Sequence, residues 1–279
     1  MEFIVANEAS LRLAGFVLVL GAMLWCERRW PFRGDARPAR RQLANVGLML
    51  IDTAVLRLAF PLLAVVLAAE IHARGGGLFG MLAWPLWLEI ALAVLLLDLA
   101  IYWQHRMPHM VRWLWPLHRV HHSDTAFDVS TGVRFHPLEI VLSMGIKLGL
   151  VVVLGPHPAA VVIFEVVLSA TSLFTHADFA LPSRIEPLVR RVIVTPSMHR
   201  IHHSVLREET DSNYGFNLSL WDRLFGSYRE RPQRPSRSMP IGLLEWRDAR
   251  ALSLPALLLQ PFRRVPARGD TAGDAPSER

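Results

Sequence analysis

The stretch PSMHRIHHS, residues 196–204, repeats an H-x-x-H-H pattern that the chain has already used in PLHRVHHSD, residues 116–124. A shorter histidine pair lies in HRMPH, residues 105–109. Residues three and four positions apart share one face of an α-helix, so each stretch predicts a short helix that presents its imidazoles in one direction. Neutral imidazole is the commonest metal ligand in proteins, and the three stretches together therefore predict a metal centre.

Long apolar runs separate these histidine-rich stretches. The 279 residues are 52% hydrophobic and 19% charged, against about 25% charged in an average soluble domain. A helix needs about 20 apolar residues to cross a bilayer core, and five runs are candidates: Leu11–Trp25, Leu43–Ala69, Met81–Tyr102, Leu138–Leu154 and Ala159–Thr175. The sequence predicts an all-α, polytopic membrane helical bundle. Its second run contains Asp52, Arg57 and Pro61, which predict a kink or a partly interfacial position.

A cluster of arginines sets the orientation of this bundle. The loop after the first run and the start of the second hold six: Arg28, Arg29, Arg33, Arg37, Arg40 and Arg41. Such a cluster is typical of a cytoplasmic loop. With this loop inside, residues 104–136 and 176–228 share its side with ten of the twelve histidines. His72 and His157 fall at the opposite end, where we expect structural roles.

Amino-acid composition indicates where in the cell the protein is located and which class of binding partner is not expected. Lysine is nearly absent while arginine and alanine are abundant, which indicates a bacterial protein and hence the inner membrane, with the active site on the cytoplasmic side. The net charge is +6, but the arginines do not form a stripe that would line a nucleic-acid groove, so no nucleic acid is expected as a partner. The single cysteine, Cys26, excludes a disulfide within the chain and a Cys-based metal site.

The histidines are too numerous for one ion. Eight lie in the three stretches, and His136 and His176 flank the fourth and fifth apolar runs. A metal accepts up to about six ligands, so the set suits two ions in one pocket. His136 either joins the ligands or caps the helical hairpin. The H-E-x-x-H pattern of zinc proteases and the Glu-x-x-His of soluble di-iron bundles are both missing.

Acidic residues near the histidines are candidates for orienting them. Asp98 lies seven residues before His105, two turns along the same helix. We expect it to accept a hydrogen bond from a ligand imidazole or to make an ordinary interhelical bond, and Asp124 and Asp178 are further candidates for the first role. Lys147 and Glu165 lie inside the apolar hairpin and are able to pair with each other.

The chain resembles the fatty acid hydroxylase/sterol desaturase superfamily of integral-membrane oxygenases. The resemblance rests on six segments in order: DLAIYWQHRMPH (98–109), LHRVHHSD (117–124), GVRFHPLE (132–139), FTHAD (174–178), TPSMHRIHHS (195–204) and NYGFNLSLWDRLFGSY (213–228). They cover roughly half of the chain. One departure is Ala177-Asp178, where many members carry an asparagine, which we attribute to the substrate pocket.

The resemblance implies a di-iron centre that uses O2 to hydroxylate or desaturate a sterol-like or fatty-acyl C–H bond. Two electrons would come from a separate ferredoxin- or cytochrome-type donor with its reductase. It implies a ligand role for His105, His109, His118, His121, His122, His199, His202 and His203, adds His176, and leaves His136 open. It covers a catalytic domain at 95–228. Composition places the N-terminal membrane helices and basic loop at 1–94 and a polar, partly disordered segment at 229–279.

A second hypothesis is a non-oxidative membrane metal protein, such as a zinc hydrolase or a metal transporter. A transporter is expected to place its ligands near the bilayer midplane on broken helices. Here the histidine stretches lie beyond the ends of the apolar runs, which favours the oxygenase.

Overall fold

The computed structural model describes residues 1–264 except residues 36, 61–63, 82 and 84. The kink predicted at Pro61 and the last 15 residues of the polar segment predicted at 229–279 therefore lie outside the described residues.

The described part of the chain is helical and contains no β-strand, only two isolated bridges. This confirms the all-α prediction. The α-helices are α1 (Glu2–Ala6), α2 (Glu8–Arg29), α3 (Ala39–Ala59), α4 (Ala64–Ala73), α5 (Gly77–Gly80), α6 (Leu86–Met110), α7 (Trp115–His122), α8 (Pro137–Leu154), α9 (Pro158–His176), α10 (Glu186–Val189), α11 (Pro196–His202), α12 (Arg207–Thr210), α13 (Leu220–Leu224) and α14 (Leu254–Leu259). Three 3₁₀ segments complete the list: Val129–Val133, Ala249–Leu252 and Gln260–Phe262.

Five helical segments are long and apolar enough to cross a membrane: Glu8–Arg29, Ala39–Gly80, Leu86–Met110, Pro137–Leu154 and Pro158–His176. They match the five predicted apolar runs. Their outer faces carry large apolar side chains such as Leu13, Leu50 and Leu58, of which 65%, 61% and 86% is exposed. Apolar exposure of this extent suits contact with lipid, and the chain is an integral membrane protein.

Helices α8 and α9 form a hairpin whose ends the sequence specifies. Each begins with proline at its first position, where the missing N–H costs no hydrogen bond. Helix α8 ends at Gly155, whose φ of 60° lies in the left-handed region that glycine adopts without strain. A Cβ atom on Gly77 would lie 2.3 Å from the Gly155 nitrogen, so backbone packs against backbone at the tip. The hairpin thus returns α9 to the end of the bundle from which α8 departs.

Three charged side chains of the bundle form a cluster. Lys147 Nζ lies 2.6 Å from Glu165 Oε1, which is the ion pair expected from the sequence, and Arg12 adds a second contact to the same carboxylate at 3.2 Å. Because these residues belong to α8, α9 and α2, the cluster ties three apolar helices together.

The two histidines expected at the far end lie together there. The rings of His72 and His157 have centroids 5.0 Å apart, and His157 caps α9 by accepting a hydrogen bond from the Ala159 N–H. The remaining elements converge at the other end of the bundle, where α6 and α9 terminate and where α7 and α11 pack.

Candidate metal centre

Nine imidazoles from four helices form two adjacent groups at this end. In each group, one ring nitrogen per residue lies within 4.8 Å of all the others. The five-histidine group comprises His105, His109, His118, His122 and His202, and the four-histidine group comprises His121, His176, His199 and His203. All nine rings are buried from solvent.

The two H-x-x-H-H stretches contribute to both groups in the same way. In α7, His118 and His122 face the five-histidine group while His121 faces the other. Around α11 the roles are exchanged, because His199 and His203 join the four-histidine group and His202 joins the five. Positions i and i+4 therefore serve one group and position i+3 serves its neighbour, which explains why the pattern has three histidines and occurs twice.

Backbone carbonyls fix the orientation of four rings through Nδ1. The Nδ1 atoms of His105 and His202 lie 2.7 Å from the oxygens of Tyr214 and Ser212. In the four-histidine group, the oxygen of Ser172 accepts from His176 Nδ1 at 2.7 Å, and the oxygen of Arg134 lies 3.2 Å from Nδ1 of His121. A carbonyl only accepts hydrogen bonds, so each of these Nδ1 atoms carries the proton and each Nε2 presents a lone pair.

These lone pairs face one another at short distance. His105 Nε2 lies 3.0 Å from His202 Nε2, and His121 Nε2 lies 3.2 Å from His176 Nε2. Two lone pairs cannot form a hydrogen bond, so as neutral pairs these contacts are repulsive. A metal ion bound by both members removes the repulsion, because ligands about 2.1 Å from an ion stand about 3 Å apart when adjacent. The donor set therefore fits two metal ions, one in each group.

Burial keeps the imidazoles ready to bind a cation. Desolvation and the neighbouring imidazoles lower the pKa of His202 to about 3, and the same causes lower the pKa values of His121, His122, His199 and His203 well below the ordinary value. These five rings are thus neutral at physiological pH, which is the state that binds a metal.

His136, which the sequence left open as a ligand or a helix cap, lies outside both histidine groups. Its Nδ1 accepts a hydrogen bond from the Leu138 N–H at 3.2 Å, and its Nε2 lies 3.1 Å from the Leu258 oxygen. Both nitrogens are therefore engaged with backbone atoms. His136 is the N-cap of α8, the alternative that the sequence had left open.

The three aspartates expected to orient imidazoles bind other groups. Asp98 accepts from the Trp221 indole N–H at 2.8 Å and from the Leu218 N–H at 3.3 Å. Asp124 accepts from Arg41, Asn45 and Thr131, and Asp178 accepts from Arg37 and from the backbone of Arg33 and Gly34. In the described chain they brace the segments around the histidines without contacting a ring.

Two other carboxylates approach the rings, and sequence reasoning missed both. Glu139 Oε1 lies 2.7 Å from His118 Nδ1, and Asp211 Oδ1 lies 3.4 Å from His109 Nδ1. The segment FHPLE offers a signal for Glu139 in hindsight. The helix starting at Pro137 turns the third residue after His136 back towards α7.

Arg41 is the other residue that the sequence did not distinguish. Its guanidinium is fully buried, donates to both carboxylates of Asp124 and Asp128, and reaches the Thr131 hydroxyl at 2.9 Å. This network fastens the start of α3 to the loop that follows α7. In the sequence Arg41 is one of six arginines in a basic cluster, and no local signal separates it from the others.

The NYG…WDR segment shapes a wall of the five-histidine group. Asn213 adopts a φ of 54° and its side-chain amide donates to the Met198 oxygen at 3.1 Å. Asp222 accepts from the Tyr214 and Gly215 N–H groups at 2.7 and 2.8 Å. These bonds hold the loop that presents the carbonyl oxygen of Tyr214 to His105.

Two cavities approach the histidine groups from different sides. One, of about 440 Å³, is lined by His109 together with Arg112, Trp115 and Arg207 beyond the end of α6. The other, of about 230 Å³, lies among α2, α3, α8 and α9; we call it the membrane cleft. Its walls include Phe16, Met49, Leu56, Phe135, Ile140 and Leu173. Phe135 stacks on His121 with ring centroids 4.6 Å apart, so the membrane cleft ends against the four-histidine group.

Comparison with known proteins agrees with this geometry. The family model for fatty acid hydroxylases matches residues 90–227. The ornithine lipid hydroxylase of Rhizobium tropici is 31% identical over 195 residues, which is 70% of this chain and 56% of that enzyme. The alkylglycerol monooxygenase of Homo sapiens is 32% identical over 145 residues, 51% of this chain and 31% of that one. The Delta(7)-sterol 5(6)-desaturase of Leptosphaeria maculans is 30% identical over 149 residues, 53% of this chain and 38% of that one.

This chain spans between about a third and somewhat over half of the length of these three relatives. No solved structure gives a significant match. The family match at residues 90–227 includes all nine clustered imidazoles, and the chain belongs to the fatty acid hydroxylase/sterol desaturase superfamily.

Proposed function

We propose that this protein is a non-heme di-iron oxidoreductase that uses O2 to hydroxylate or desaturate a lipid C–H bond. The observation that carries the proposal is the pair of adjacent all-imidazole groups, one of which lies at the end of a largely apolar cleft between membrane helices. A hydrocarbon chain is able to lie in such a cleft, with a carbon next to the four-histidine group. The relatives, named for hydroxylation or desaturation of ornithine lipid, alkylglycerol and sterol, support a lipid substrate.

The protein side chains would hold the metal ions, orient their ligands and keep water away from the substrate. The nine histidines would hold two iron ions, which when bound supply the O2 activation needed to attack an unactivated carbon. Carbonyls behind His105, His176 and His202 fix these rings through Nδ1, so that each Nε2 lone pair would be available to a bound ion. Phe135 and Ser172 stand between the membrane cleft and the histidines and would position the substrate carbon while excluding water.

Hydroxylation requires a source of electrons. One atom of O2 enters the C–H bond and the other leaves as water, which consumes two electrons and two protons. We propose a separate ferredoxin- or cytochrome-type donor with its reductase. The cavity beside His109, which Arg112 and Arg207 line away from the membrane cleft, is the side of the site from which we expect this donor to approach.

We further propose that the site faces the cytoplasm of a bacterial cell, at the inner membrane. The arginine-rich segment between α2 and α3 lies at the same end as the histidine groups, because Arg37 and Arg41 bind the loops that follow them. Under the positive-inside rule, this end is cytoplasmic.

Metal analysis combined with lipid profiling tests the function. We expect the purified protein to contain iron, to take up O2 when reduced, and to change one lipid class of an expressing host by the gain of an oxygen atom or the loss of two hydrogens. A protein that holds zinc alone and takes up no O2 would instead be a zinc hydrolase or a metal transporter. A host expressing His121→Ala is the matched control for the lipid profile.

A further inference from the structure

One acidic side chain in the membrane cleft has no hydrogen-bond partner within the described chain. Asp52, on α3, is only 7% exposed, and its buried Oδ1 accepts nothing. It lines the same cleft as Ser172 and Phe135, which contact the four-histidine group. An unpartnered carboxyl group in an apolar environment is costly, and within a membrane helix such a group generally serves function.

Other buried acids of the membrane helices each engage a protein group through at least one oxygen, although Asp98 Oδ1 and Glu165 Oε2 also lack a hydrogen-bond donor. Asp98 accepts from Trp221, Glu165 pairs with Lys147, and Glu89 accepts from the His157 N–H. Asp52 therefore differs from these acids, because no group among the described residues donates a hydrogen bond to its carboxyl group. Its partner has to come from whatever occupies the cleft.

Of the three hydroxyl groups that line the cleft, those of Thr53 and Ser172 bind backbone oxygens, and the third belongs to Ser169, a weaker acceptor than a carboxyl group. Thr53 Oγ1 donates to the Met49 oxygen at 2.8 Å, within its own helix. Ser172 Oγ donates to the Gly132 oxygen at 2.9 Å and so joins α9 to the 3₁₀ segment. Asp52 is left as the strong acceptor of the cleft, and it accepts in either protonation state because a protonated carboxyl group keeps its carbonyl oxygen.

We propose that Asp52 is a specificity residue that accepts a hydrogen bond from a hydroxyl or amide N–H group carried within the apolar part of the lipid substrate. The proposal rests on the proposed function and narrows the substrate to lipids with such an uncharged donor. Bound in this way, the donor sets how far the chain slides towards Phe135, and hence which carbon meets the four-histidine group. A charged ammonium group is the less suitable occupant, because the surrounding walls are apolar.

Binding of simple alkyl probes tests the proposal without turnover. The probes are hexadecan-1-ol, its methyl ether, which accepts but cannot donate, and hexadecane, each added at equal mole fraction to metal-loaded protein in detergent. We expect the alcohol to bind about tenfold more tightly than the ether or the alkane, and therefore to raise the melting temperature most. Equal shifts from the three probes in the wild-type protein would overturn the proposal.

Two substitutions test whether Asp52 causes the preference for the alcohol. Asp52→Leu is expected to abolish the preference for the alcohol, whereas Thr53→Val, a change on the adjacent cleft residue whose hydroxyl bonds its own helix, should keep it. Retention of the preference in Asp52→Leu would also refute the role. If Asp52→Leu does not fold, the comparison of alcohol with ether in the wild-type protein still decides. Iron content and O2 uptake are measured separately, so failure of the proposed oxygenase function is distinguishable from failure of this site.

Discussion

A single substitution at His121 is expected to impair the metal centre while leaving the rest of the fold intact. It is the only residue of α7 in the four-histidine group, and its Nε2 faces that of His176. We predict that His121→Ala loses metal from this group and lowers product formation by at least about a hundredfold, since even outer-shell changes cost 10- to 100-fold. Metal per chain and the lipid mass shift measure both effects.

His157→Ala is the matched control. It removes an imidazole of equal size from the opposite end of the bundle, where the ring caps α9 and contacts His72. Metal content and product should stay near wild type. Equal metal loss in the two variants would show that His121 acts through general stability and not as a ligand.

Glu139 provides a second prediction at this scale. Its Oε1 accepts from His118 Nδ1, so its charge fixes the tautomer of the ring and increases the basicity of Nε2. Glu139→Gln should weaken metal binding in the five-histidine group by roughly 10- to 100-fold while leaving the fold intact. Titration of the metal-free protein with Fe²⁺ measures the change. Glu186→Gln is the control, because the Glu186 carboxylate pairs with Arg190 outside the histidine groups. Unchanged affinity would mean that this contact does not tune the metal.

At the scale of single residues, the sequence predicted which histidines converge but not how they divide. Spacing placed three rings on one helical face, yet the assignment of His121 and His202 to different groups depends on how α7 and α11 cross. The role of Asp98 also depended on packing, because its partner Trp221 lies 123 positions away in the chain. His136 was ambiguous, since a histidine before proline suits a helix cap as well as a ligand.

Among the contacts between elements, we expect the one between α3 and the loop after α7, which we call the joint, to lose most stability when a charge is removed. Arg41 there neutralises Asp124 and Asp128, and all three side chains are buried. Arg41→Leu leaves two carboxylates without their main counter-charge, and removal of one partner of a buried pair typically costs about 3–5 kcal/mol. We predict a marked fall in melting temperature and, because the loop adjoins His121 and His122, partial loss of metal.

The neighbouring arginine is the control for this joint. Arg40 is exposed, so Arg40→Leu removes the same charge from the same turn and should leave the melting temperature nearly unchanged. If the two variants melt alike, the buried network does not stabilise the joint.

Element boundaries were predicted best where apolar sequence ends abruptly. The predicted run Leu138–Leu154 differs from α8 by one residue, since Pro137 and Gly155 mark its ends. The run Met81–Tyr102 was less accurate, because α6 starts at Leu86 and continues to Met110 through Pro108. That extension carries His105 and His109 beyond the apolar segment, where hydrophobicity alone gives no signal.

For the whole molecule, the sequence indicated that both histidine stretches return to one end of the bundle, and the hairpin of α8 and α9 provides the physical means. It did not indicate the membrane cleft, which exists because α2 and α3 lie against α9 and the 3₁₀ segment after Asp128. The shape of a cavity among four elements depends on side chains far apart in the sequence. The spacing of apolar residues along one helix therefore does not predict it.

The metal centre also links these elements, so metal binding should stabilise the entire bundle. Helices α6, α7, α9 and α11 each place at least one imidazole in the groups, and without an ion the opposed Nε2 lone pairs of His105 and His202 push α6 and α11 apart. A ligand that binds only the folded state at a hundred times its Kd adds about 2.7 kcal/mol of stability. We predict that chelation lowers the melting temperature of the wild-type protein and that added Fe²⁺ restores it. A variant with both His121→Ala and His202→Ala, which loses one ligand from each group, should melt at nearly the same temperature with and without chelator. If chelation leaves the wild-type melting temperature unchanged, then the two groups do not hold the helices together through bound metal, and the convergence of the four helices must rest on packing alone.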